Sequence, residues 1–234
     1  MKGLKRQIPN LITLCNLLCG VVASYVAIAD KECGIKFAAA FICLGILFDF
    51  FDGLAARLLN VPSEIGKELD SLADVVTSGV APAMILFQII LAHAPIKEFA
   101  IVAFLIPLFA AYRLAKFNLD TRQRHSFLGL PVPSNALIWV GVALSGSFVP
   151  STIPMLTAFI LVTLAGDVLM ISELPMFSLK FNFKKLSWKD NSTQYIFLIG
   201  CVLIALLLRD WIAISIIILW YIVLSVITCR QNAN

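Results

Sequence analysis

The sequence predicts an all-helical integral membrane protein, a polytopic bundle of about eight transmembrane helices. Of the 234 residues, 60% are hydrophobic and only 14% are charged, and the mean hydropathy is +0.94. A composition this apolar is typical of membrane proteins. Apolar runs of about 17–25 residues, long enough to cross a bilayer as a helix, recur along the chain. They lie at residues 11–29, 36–59, 70–92, 98–117, 132–148, 152–171, 193–209 and 211–228.

Lysine and arginine fall mainly on one side of this predicted topology. With the N-terminus inside, fourteen basic residues lie at inner helix ends and loops, and four lie outside: Lys31, Lys36, Lys97 and Arg209. Cytoplasmic loops of membrane proteins carry an excess of basic residues. Both termini, and the loop between the second and third spans, are therefore predicted to face the cytoplasm.

The first span carries a polar stripe at its inner end. Asn10, Thr13 and Asn16 recur every three residues, which places them on one side of a helix. Helix capping and hydrogen bonds between helices account for such a stripe in an ordinary membrane bundle. The basic residues 1–9 ahead of it predict a short interfacial helix.

Four aspartates interrupt the second and third spans. The stretch that holds them reads DFFDGLAARLLNVPSEIGKELDSLAD. Its two halves are predicted to be helical, with a turn at 60–63, where proline and small polar residues stop a helix. A three-residue step leaves Asp49 and Asp52 about 60° apart around a helix, and a four-residue step aligns Asp70 with Asp74. A tight helical hairpin would therefore bring the four carboxylates together.

These acids indicate a metal site rather than ordinary helix caps or solvated surface charges. A charged side chain within a membrane segment costs about 2.5–3.5 kcal/mol on insertion scales, and carboxylates at close range repel one another unless cations separate them. Oxygen ligands suit Mg²⁺ or Mn²⁺, whereas zinc prefers histidine and cysteine. The cysteines and histidines show no metal-binding spacing. Gly53 and Gly66 lie within these helices, where each costs about 1 kcal/mol relative to alanine, and they indicate close approach of the two helices or of a flat ligand group.

The complete spacing from Asp49 to Asp74, D-x-x-D-G-x-x-A-R-x8-G-x-x-x-D-x-x-x-D, resembles the motif of the CDP-alcohol phosphotransferases. This resemblance implies a CDP-linked lipid as donor and two divalent cations, Mg²⁺ or Mn²⁺, with Asp74 also serving as general base. The implied metal ligands are Asp49, Asp52, Asp70 and Asp74. The donor-binding residues that we expect on this basis are Asn10, Thr13, Asn16, Gly53, Ala56, Arg57 and Gly66.

The stretch from Asp49 to Asp74 also contains other charged residues, three of which we consider separately. Arg57 either balances the acids or contacts donor phosphate, because a guanidinium suits planar bidentate contacts. Lys67 and Glu68 are expected to be solvated loop charges.

The fourth span ends in a basic motif, R-L-A-K-F-N, in which Arg113 and Lys116 lie one turn apart on the side predicted for the aspartates. A cytoplasmic anchor explains either residue. Together with G-L-P-x-P at 129–133, L-M-I-S at 169–172 and F-S-L-K at 177–180, however, the motif resembles the phosphatidylserine synthase branch of the family. Arg113 is then the candidate for binding the serine carboxylate through two parallel hydrogen bonds, and Lys116 for serine or phosphate.

The resemblance implies transfer of the phosphatidyl group from CDP-diacylglycerol to the hydroxyl of L-serine, with release of CMP. Another acceptor, glycerol 3-phosphate or inositol phosphate, stays open as an alternative. A cation transporter is a further alternative, although it would more naturally place its acids near the membrane midplane on broken helices. The expected partners are the two substrates and the lipid bilayer, with a homodimer as a candidate assembly and no nucleic acid.

The C-terminal helices and Asp167 have no part in this pattern. Residues 1–180 are assigned to a six-helix catalytic core and residues 181–234 to a C-terminal pair of helices, whose external turn is expected at Arg209 and Asp210. Asp167 has no counterpart in the motif. It is expected either to pair with a neighbouring base or to face water.

Overall fold

Helices form nearly all of the computed structural model, which describes residues 2–29, 33–61, 63–120, 127–177 and 188–233. The described α-helices are α1 (Lys2–Ala29), α2 (Gly34–Leu58), α3 (Glu64–Asp74), α4 (Ala81–His93), α5 (Leu105–Leu119), α6 (Val132–Ser145), α7 (Ile153–Ile171), α8 (Trp188–Leu208) and α9 (Ile212–Ala233). A π-helical segment, Val75–Val80, joins α3 to α4, and a 3₁₀ segment, Lys97–Phe104, leads into α5.

The prediction of an all-helical polytopic membrane protein is confirmed. In the described ranges, six helical segments are long and apolar enough to cross a membrane. They are Gln7–Ala29, Gly34–Leu58, Glu64–His93, Lys97–Leu119, Ile153–Ile171 and Asn191–Leu208. Two shorter apolar helices, Val132–Ser145 and Ile212–Thr228, correspond to the fifth and eighth predicted spans.

Two helix boundaries differ from the sequence prediction. The third span begins at Glu64 rather than at 70, because Ser63 caps the helix and its hydroxyl accepts a hydrogen bond from the Gly66 amide at 3.0 Å. The residues predicted to form a short interfacial helix are helical from Lys2, but this helix continues without a break through Pro9 into the first span. A continuous helix keeps backbone groups hydrogen-bonded inside a bilayer, where proline within helices is tolerated.

The middle parts of α1 and α2 pack closely around the π-helical segment. Thr77 in that segment donates a hydrogen bond to the Asn16 carbonyl at 2.9 Å. A methyl group in place of the hydrogen of Gly20 would lie 2.7 Å from Thr77 Cα, and one at Gly45 would lie 2.9 Å from Asn16 Oδ1. Glycine at these positions therefore lets three helical segments meet, and this fixes the polar face of α1 against α3.

A small β-ladder ties the loop after α5 to the end of α7. Strand β1 (Phe127–Leu128) pairs antiparallel with β2 (Pro175–Met176). The next residue, Gly129, has φ +74°, a conformation that glycine adopts without a steric penalty. Its amide donates to the Leu174 carbonyl at 2.9 Å. The G-L-P-x-P stretch therefore docks against the C-terminal end of α7.

The last two helices form a hairpin. Helix α8 ends at Leu208 and α9 begins at Ile212, with Arg209 at φ +49° in the turn. The predicted turn at Arg209 and Asp210 is confirmed. Helix α9 packs on α6 and on β2, so the hairpin returns to the body of the protein.

Candidate active site

Three of the four aspartates meet where α2 and α3 face each other. One carboxylate oxygen from each of Asp49, Asp52 and Asp70 lies within 4.8 Å of the other two. Asp52 is buried, and Asp49 and Asp70 are half-buried. Asp74 is also buried and follows one helical turn after Asp70, outside this group of three. Three carboxylates therefore lie in direct proximity with the fourth beside them, but the tight packing predicted between the two helices is wrong, because α2 and α3 each pack mainly on α1.

The donor set fits a divalent cation. All three groups supply carboxylate oxygens, which suit Mg²⁺ or Mn²⁺. Among the residues that the structure describes, no lysine, arginine or histidine forms an ion pair with them; the ion pair recorded there joins Lys116 and Glu173. Asp70 Oδ1 is buried without a hydrogen-bond partner. Uncompensated carboxylates within a membrane span are costly, so a bound cation would relieve both the repulsion and the unsatisfied oxygen.

The polar stripe of α1 contacts these aspartates directly. Thr13 Oγ1 lies 2.6 Å from Asp52 Oδ2 and 3.1 Å from the Pro9 carbonyl oxygen; the shorter contact is in the range of a charge-assisted O–H···O bond. Asn16 Nδ2 donates to Asp74 Oδ1 at 3.4 Å. Both residues are buried. Thr13 and Asn16 therefore hold the carboxylates of Asp52 and Asp74 in position. Their hydrogen bonds between helices end on the site aspartates.

A cavity of about 250 Å³ opens beside Asp52 and Asp70. Its wall combines the α1 stripe with the first half of the motif and the start of α3. The residues that line it are Pro9, Asn10, Thr13, Asp52, Gly53, Ala56, Val61, Ser63, Gly66, Lys67 and Asp70. Of the seven predicted donor-binding residues, Asn16 and Arg57 do not line this cavity.

The two glycines of the motif have different surroundings. A methyl group at Gly53 would find its nearest neighbour, Arg57 Nη2, only at 4.0 Å, so this position leaves open space at the cavity wall. A methyl group at Gly66 would lie 2.9 Å from Ser63 Oγ and 3.1 Å from Asn10 Oδ1. Gly66 therefore permits the close approach of α1 to the start of α3, and not the approach of α2 to α3 that the sequence indicated.

Arg57 and Lys67 make backbone contacts. Arg57 Nε donates to the Gly53 carbonyl at 2.9 Å, and its side chain is exposed. It forms no ion pair with the aspartates in the ranges described, so the structure does not support the charge-balancing alternative. Lys67 is exposed, as predicted, but the loop assignment is wrong for both Lys67 and Glu68, because both lie in α3. Lys67 Nζ donates to the Asn118 carbonyl at 3.0 Å.

Arg113 is a buried cation without a paired anion. Its side chain is 8% exposed, no carboxylate oxygen in the described part of the chain lies within 4.0 Å of it, and its Nε has no hydrogen-bond partner. The guanidinium carbon lies 5.9 Å from the centre of the Phe117 ring and interacts electrostatically with Asp74. Helix α5 therefore contributes a buried positive charge to the electrostatic surroundings of Asp74.

A second, narrow cavity lies beside Arg113 and Lys116 and is bounded by the end of α7. Lys116 Nζ is 3.5 Å from Glu173 Oε1, and both side chains are substantially exposed. Surface ion pairs of this kind contribute little to stability. The pair nevertheless shows that the C-terminal ends of α5 and α7 meet at this cavity.

Sequence analysis missed two polar features. Asn118 Nδ2 donates to Ser71 Oγ at 2.9 Å, which ties the R-L-A-K-F-N motif to α3. The position of Asn118 in that motif was the only sequence feature that could have indicated this contact.

Both alternatives for Asp167 are wrong, because it is completely buried and neither carboxylate oxygen has a hydrogen-bond partner or a paired base among the described residues. Gly166, the residue before Asp167 in α7, packs against the Asn135 side-chain amide of α6. Residues 178–180 of the F-S-L-K stretch lie outside the described residues.

The chain is similar to known proteins over most of its length. A family model described as CDP-alcohol phosphatidyltransferase matches residues 6–177. A Bacillus subtilis protein named CDP-diacylglycerol–serine O-phosphatidyltransferase is 40% identical over 126 residues, which cover 54% of this chain and 69% of that protein. Proteins with the same name from Mycobacterium leprae and Helicobacter pylori are 33% and 32% identical over 178 and 185 residues. These alignments cover 72% and 77% of this chain, and 57% and 74% of the two proteins.

Proposed function

Because the chain belongs to the CDP-alcohol phosphatidyltransferase family, we propose that it transfers the phosphatidyl group of CDP-diacylglycerol to the hydroxyl of L-serine and releases CMP. The family matches through the residues that build the aspartate site, and relatives named for the serine reaction support the acceptor. The observation that carries the serine assignment is the buried, unpaired Arg113 guanidinium near Asp74. Serine differs from simple alcohols by its carboxylate, and such a cation suits that group.

The donor is proposed to bind in the cavity beside Asp52 and Asp70. The open space at Gly53 and Ala56 leaves room for the cytidine, and Asn10 and Gly66 close the opposite wall. Exposed Arg57 stands at the edge of the motif, where it can reach donor phosphate. The acyl chains stay between helices in the bilayer.

In this proposal Asp49, Asp52, Asp70 and Asp74 hold two divalent cations, Mg²⁺ or Mn²⁺. Such cations, when bound, supply positive charge that stabilises the pyrophosphate and the departing CMP. The protein's own contribution is orientation, because Thr13 and Asn16 hold two of the carboxylates from α1. Residues that orient metal ligands typically contribute about 10–100-fold to metal affinity or activity.

The acceptor is proposed to bind between Arg113 and Asp74. Arg113 holds the serine carboxylate, and Lys116 contributes a second positive charge to serine or phosphate. Asp74 takes the proton of the serine hydroxyl. The serine oxygen forms a bond to the phosphorus that carries the diacylglycerol group, and the bond from that phosphorus to the CMP oxygen breaks.

The proposed topology places both termini and the aspartate site on the cytoplasmic side, supported by the fourteen basic residues there against four outside. Residues 1–180 are proposed to form the catalytic core and residues 181–234 an appended helical pair. The proposed assembly is a homodimer.

A panel of acceptors tests the proposed function. Purified protein receives CDP-diacylglycerol, Mg²⁺ and one alcohol at a time: L-serine, glycerol 3-phosphate or an inositol phosphate. We expect CMP and phosphatidylserine in equal amounts with serine and no lipid product with the others. If lipid product formed with glycerol 3-phosphate and not with serine, the serine assignment would be contradicted and only the family assignment would stand.

A further inference from the structure

Among the residues that the structure describes, Lys67 is the one basic residue in the wall of the cavity beside Asp52 and Asp70. The two aspartates make this wall favourable for cations, whereas a CDP-linked donor brings a negatively charged diphosphate. Lys67 is therefore the positive side chain that the cavity itself offers to such a ligand. The spacing G-x-x-x-D leaves the position of Lys67 unspecified, so the motif assigns this residue no role.

The ammonium group of Lys67 is held by a helix that is distant in sequence. Lys67 Nζ donates to the Asn118 carbonyl at 3.0 Å, across 51 positions. An ammonium group has three hydrogens to donate, and this carbonyl accepts one of them. The carbonyl is neutral, and no carboxylate forms an ion pair with Lys67 in the described ranges. The contact therefore restricts the lysine side chain and leaves its positive charge uncompensated.

Two further hydrogen bonds fix the position of this carbonyl. Asn118 Nδ2 donates to Ser71 Oγ at 2.9 Å, and Ser71 Oγ donates to the Lys67 carbonyl at 3.3 Å. Lys67 and Ser71 are four positions apart in α3 and lie on one face of the helix. The three hydrogen bonds thus form a closed ring between α3 and the end of α5. The ring orders a flexible side chain before a ligand binds, so less conformational entropy is lost on binding.

Two other basic residues near the motif are placed differently. Arg57 does not line this cavity, and its Nε donates to the Gly53 carbonyl of its own helix. Lys116 pairs with Glu173 at the separate cavity beside Arg113. Of the three, Lys67 alone belongs to the wall of the proposed donor cavity.

We propose that Lys67 binds the diphosphate of the CDP-linked donor, and that Ser71 and Asn118 are positioning residues that hold its ammonium group at the cavity wall. The inference rests on the proposed function, because that function places the donor in this cavity. A lysine binds phosphate as a point charge. The contribution of Lys67 therefore depends on its charge more than on the shape of its end group.

Binding of CDP to the purified full-length protein in the presence of Mg²⁺, measured by calorimetry, tests the contact. Lys67→Met removes the charge and keeps an unbranched side chain. We expect the Kd for CDP to rise about tenfold, the lower end of the scale for hydrogen bonds to charged groups, because Lys67 is exposed. Lys67→Arg keeps the charge and should retain most of the affinity. Lys36→Met is the matched control, because this exposed lysine lies in the first turn of α2, far along the helix from Asp49 and Asp52.

Ser71→Ala tests the positioning ring. It removes the acceptor of the Asn118 side-chain amide and leaves Lys67 in place, so we expect a smaller rise in the Kd for CDP. Combined with Lys67→Met it should add nothing, because residues that act through each other are not additive. Mn²⁺ binding to Lys67→Met, followed by electron paramagnetic resonance, should be at least as tight as in wild type, because the aspartates are unchanged and a nearby positive charge is removed.

Three results would each overturn the contact with the diphosphate: unchanged CDP affinity in Lys67→Met, an equal loss of affinity in Lys67→Arg, or weaker Mn²⁺ binding in Lys67→Met. The positioning role would be overturned if Ser71→Ala had no effect on CDP binding, or if its effect added fully to that of Lys67→Met. Wild-type protein that binds no CDP would instead overturn the proposed function, and this inference with it.

Discussion

The Thr13 hydroxyl oxygen lies 2.6 Å from Asp52 Oδ2, although 39 positions separate the two residues. Asn16, one turn further along α1, donates to Asp74. One helix thus supports a carboxylate on α2 and another on α3. This relationship gives the first helix a direct part in arranging the aspartates, and it can be tested without changing an aspartate.

Thr13→Val removes the hydroxyl and retains the shape of the side chain. Because Asp52 then loses a charge-assisted hydrogen bond and its fixed orientation, we expect kcat/KM for CDP-diacylglycerol to fall by about 10–100-fold. Thr13→Ser should keep most of the activity. Thr157→Val is the matched control, because its hydroxyl bonds only the backbone of its own helix at an exposed position. Full activity in Thr13→Val would show that Asp52 needs no support from α1.

Asp74→Asn keeps the size of the side chain and removes its ability to take a proton. If Asp74 is the general base, kcat falls by about 10²–10⁴-fold, while CDP-diacylglycerol binding changes little. Steady-state kinetics with a direct donor-binding assay separate the two effects. Asp210→Asn, in the turn between α8 and α9, is the control for loss of one carboxylate. A donor affinity that falls as steeply as the rate would make Asp74 a metal ligand only.

Arg113→Lys retains the charge and loses the planar pair of donors. We expect the KM for serine to rise by about 10–150-fold, since hydrogen bonds to charged groups contribute about 1.5–3 kcal/mol, and the donor KM to stay nearly constant. Arg209→Lys, in the turn between α8 and α9, should change neither value. A rise in the donor KM instead would assign Arg113 to the pyrophosphate.

Gly129→Ala tests the docking of the G-L-P-x-P loop on α7. An added methyl group would lie 2.6 Å from the Met170 carbonyl oxygen and 2.8 Å from that of Ser172, in a residue with φ +74°. Gly146 has a similar φ of +65°, but its nearest neighbour would be 3.8 Å away. Both substitutions incur the backbone strain, and Gly129→Ala adds overpacking, which typically costs about 1–3 kcal/mol. Thermal unfolding should therefore give a lower midpoint for Gly129→Ala; equal midpoints would show that the loop shifts freely.

The helices and the aspartate hairpin could be predicted because they depend on local patterns. Long apolar runs fix the spans, and the turn at 60–63 follows from residues that stop helices. The steps from Asp49 to Asp52 and from Asp70 to Asp74 place each carboxylate on a known side of its helix. Their convergence was predicted, but the way it is reached was not, because α2 and α3 each pack mainly on α1.

Contacts between distant parts of the chain could not be predicted in the same way. The Thr13 hydroxyl selects Asp52, and the Asn118 amide selects Ser71, through packing that no sequence spacing encodes. The two-residue strands are too short to show an alternation of apolar and polar residues in the sequence. The burial of Asp167 depends on how α6 and α7 pack. The π-helical segment at Val75–Val80 was also unpredicted, because its residues are compatible with an ordinary helix.

The most direct test of the central claim, that the aspartate hairpin is the metal-dependent reaction centre, is a Mg²⁺ titration of serine-dependent CMP release by wild type and Asp70→Asn. Asp70 is chosen because it brings a buried, unpartnered oxygen to the group of three carboxylates. We expect wild-type activity to vanish in a chelator and to return with Mg²⁺ or Mn²⁺, and Asp70→Asn to stay inactive at every concentration while its thermal unfolding midpoint is retained. Mn²⁺ binding followed by electron paramagnetic resonance should weaken in the same variant. Wild-type turnover in excess chelator, or full activity of Asp70→Asn, would contradict the account.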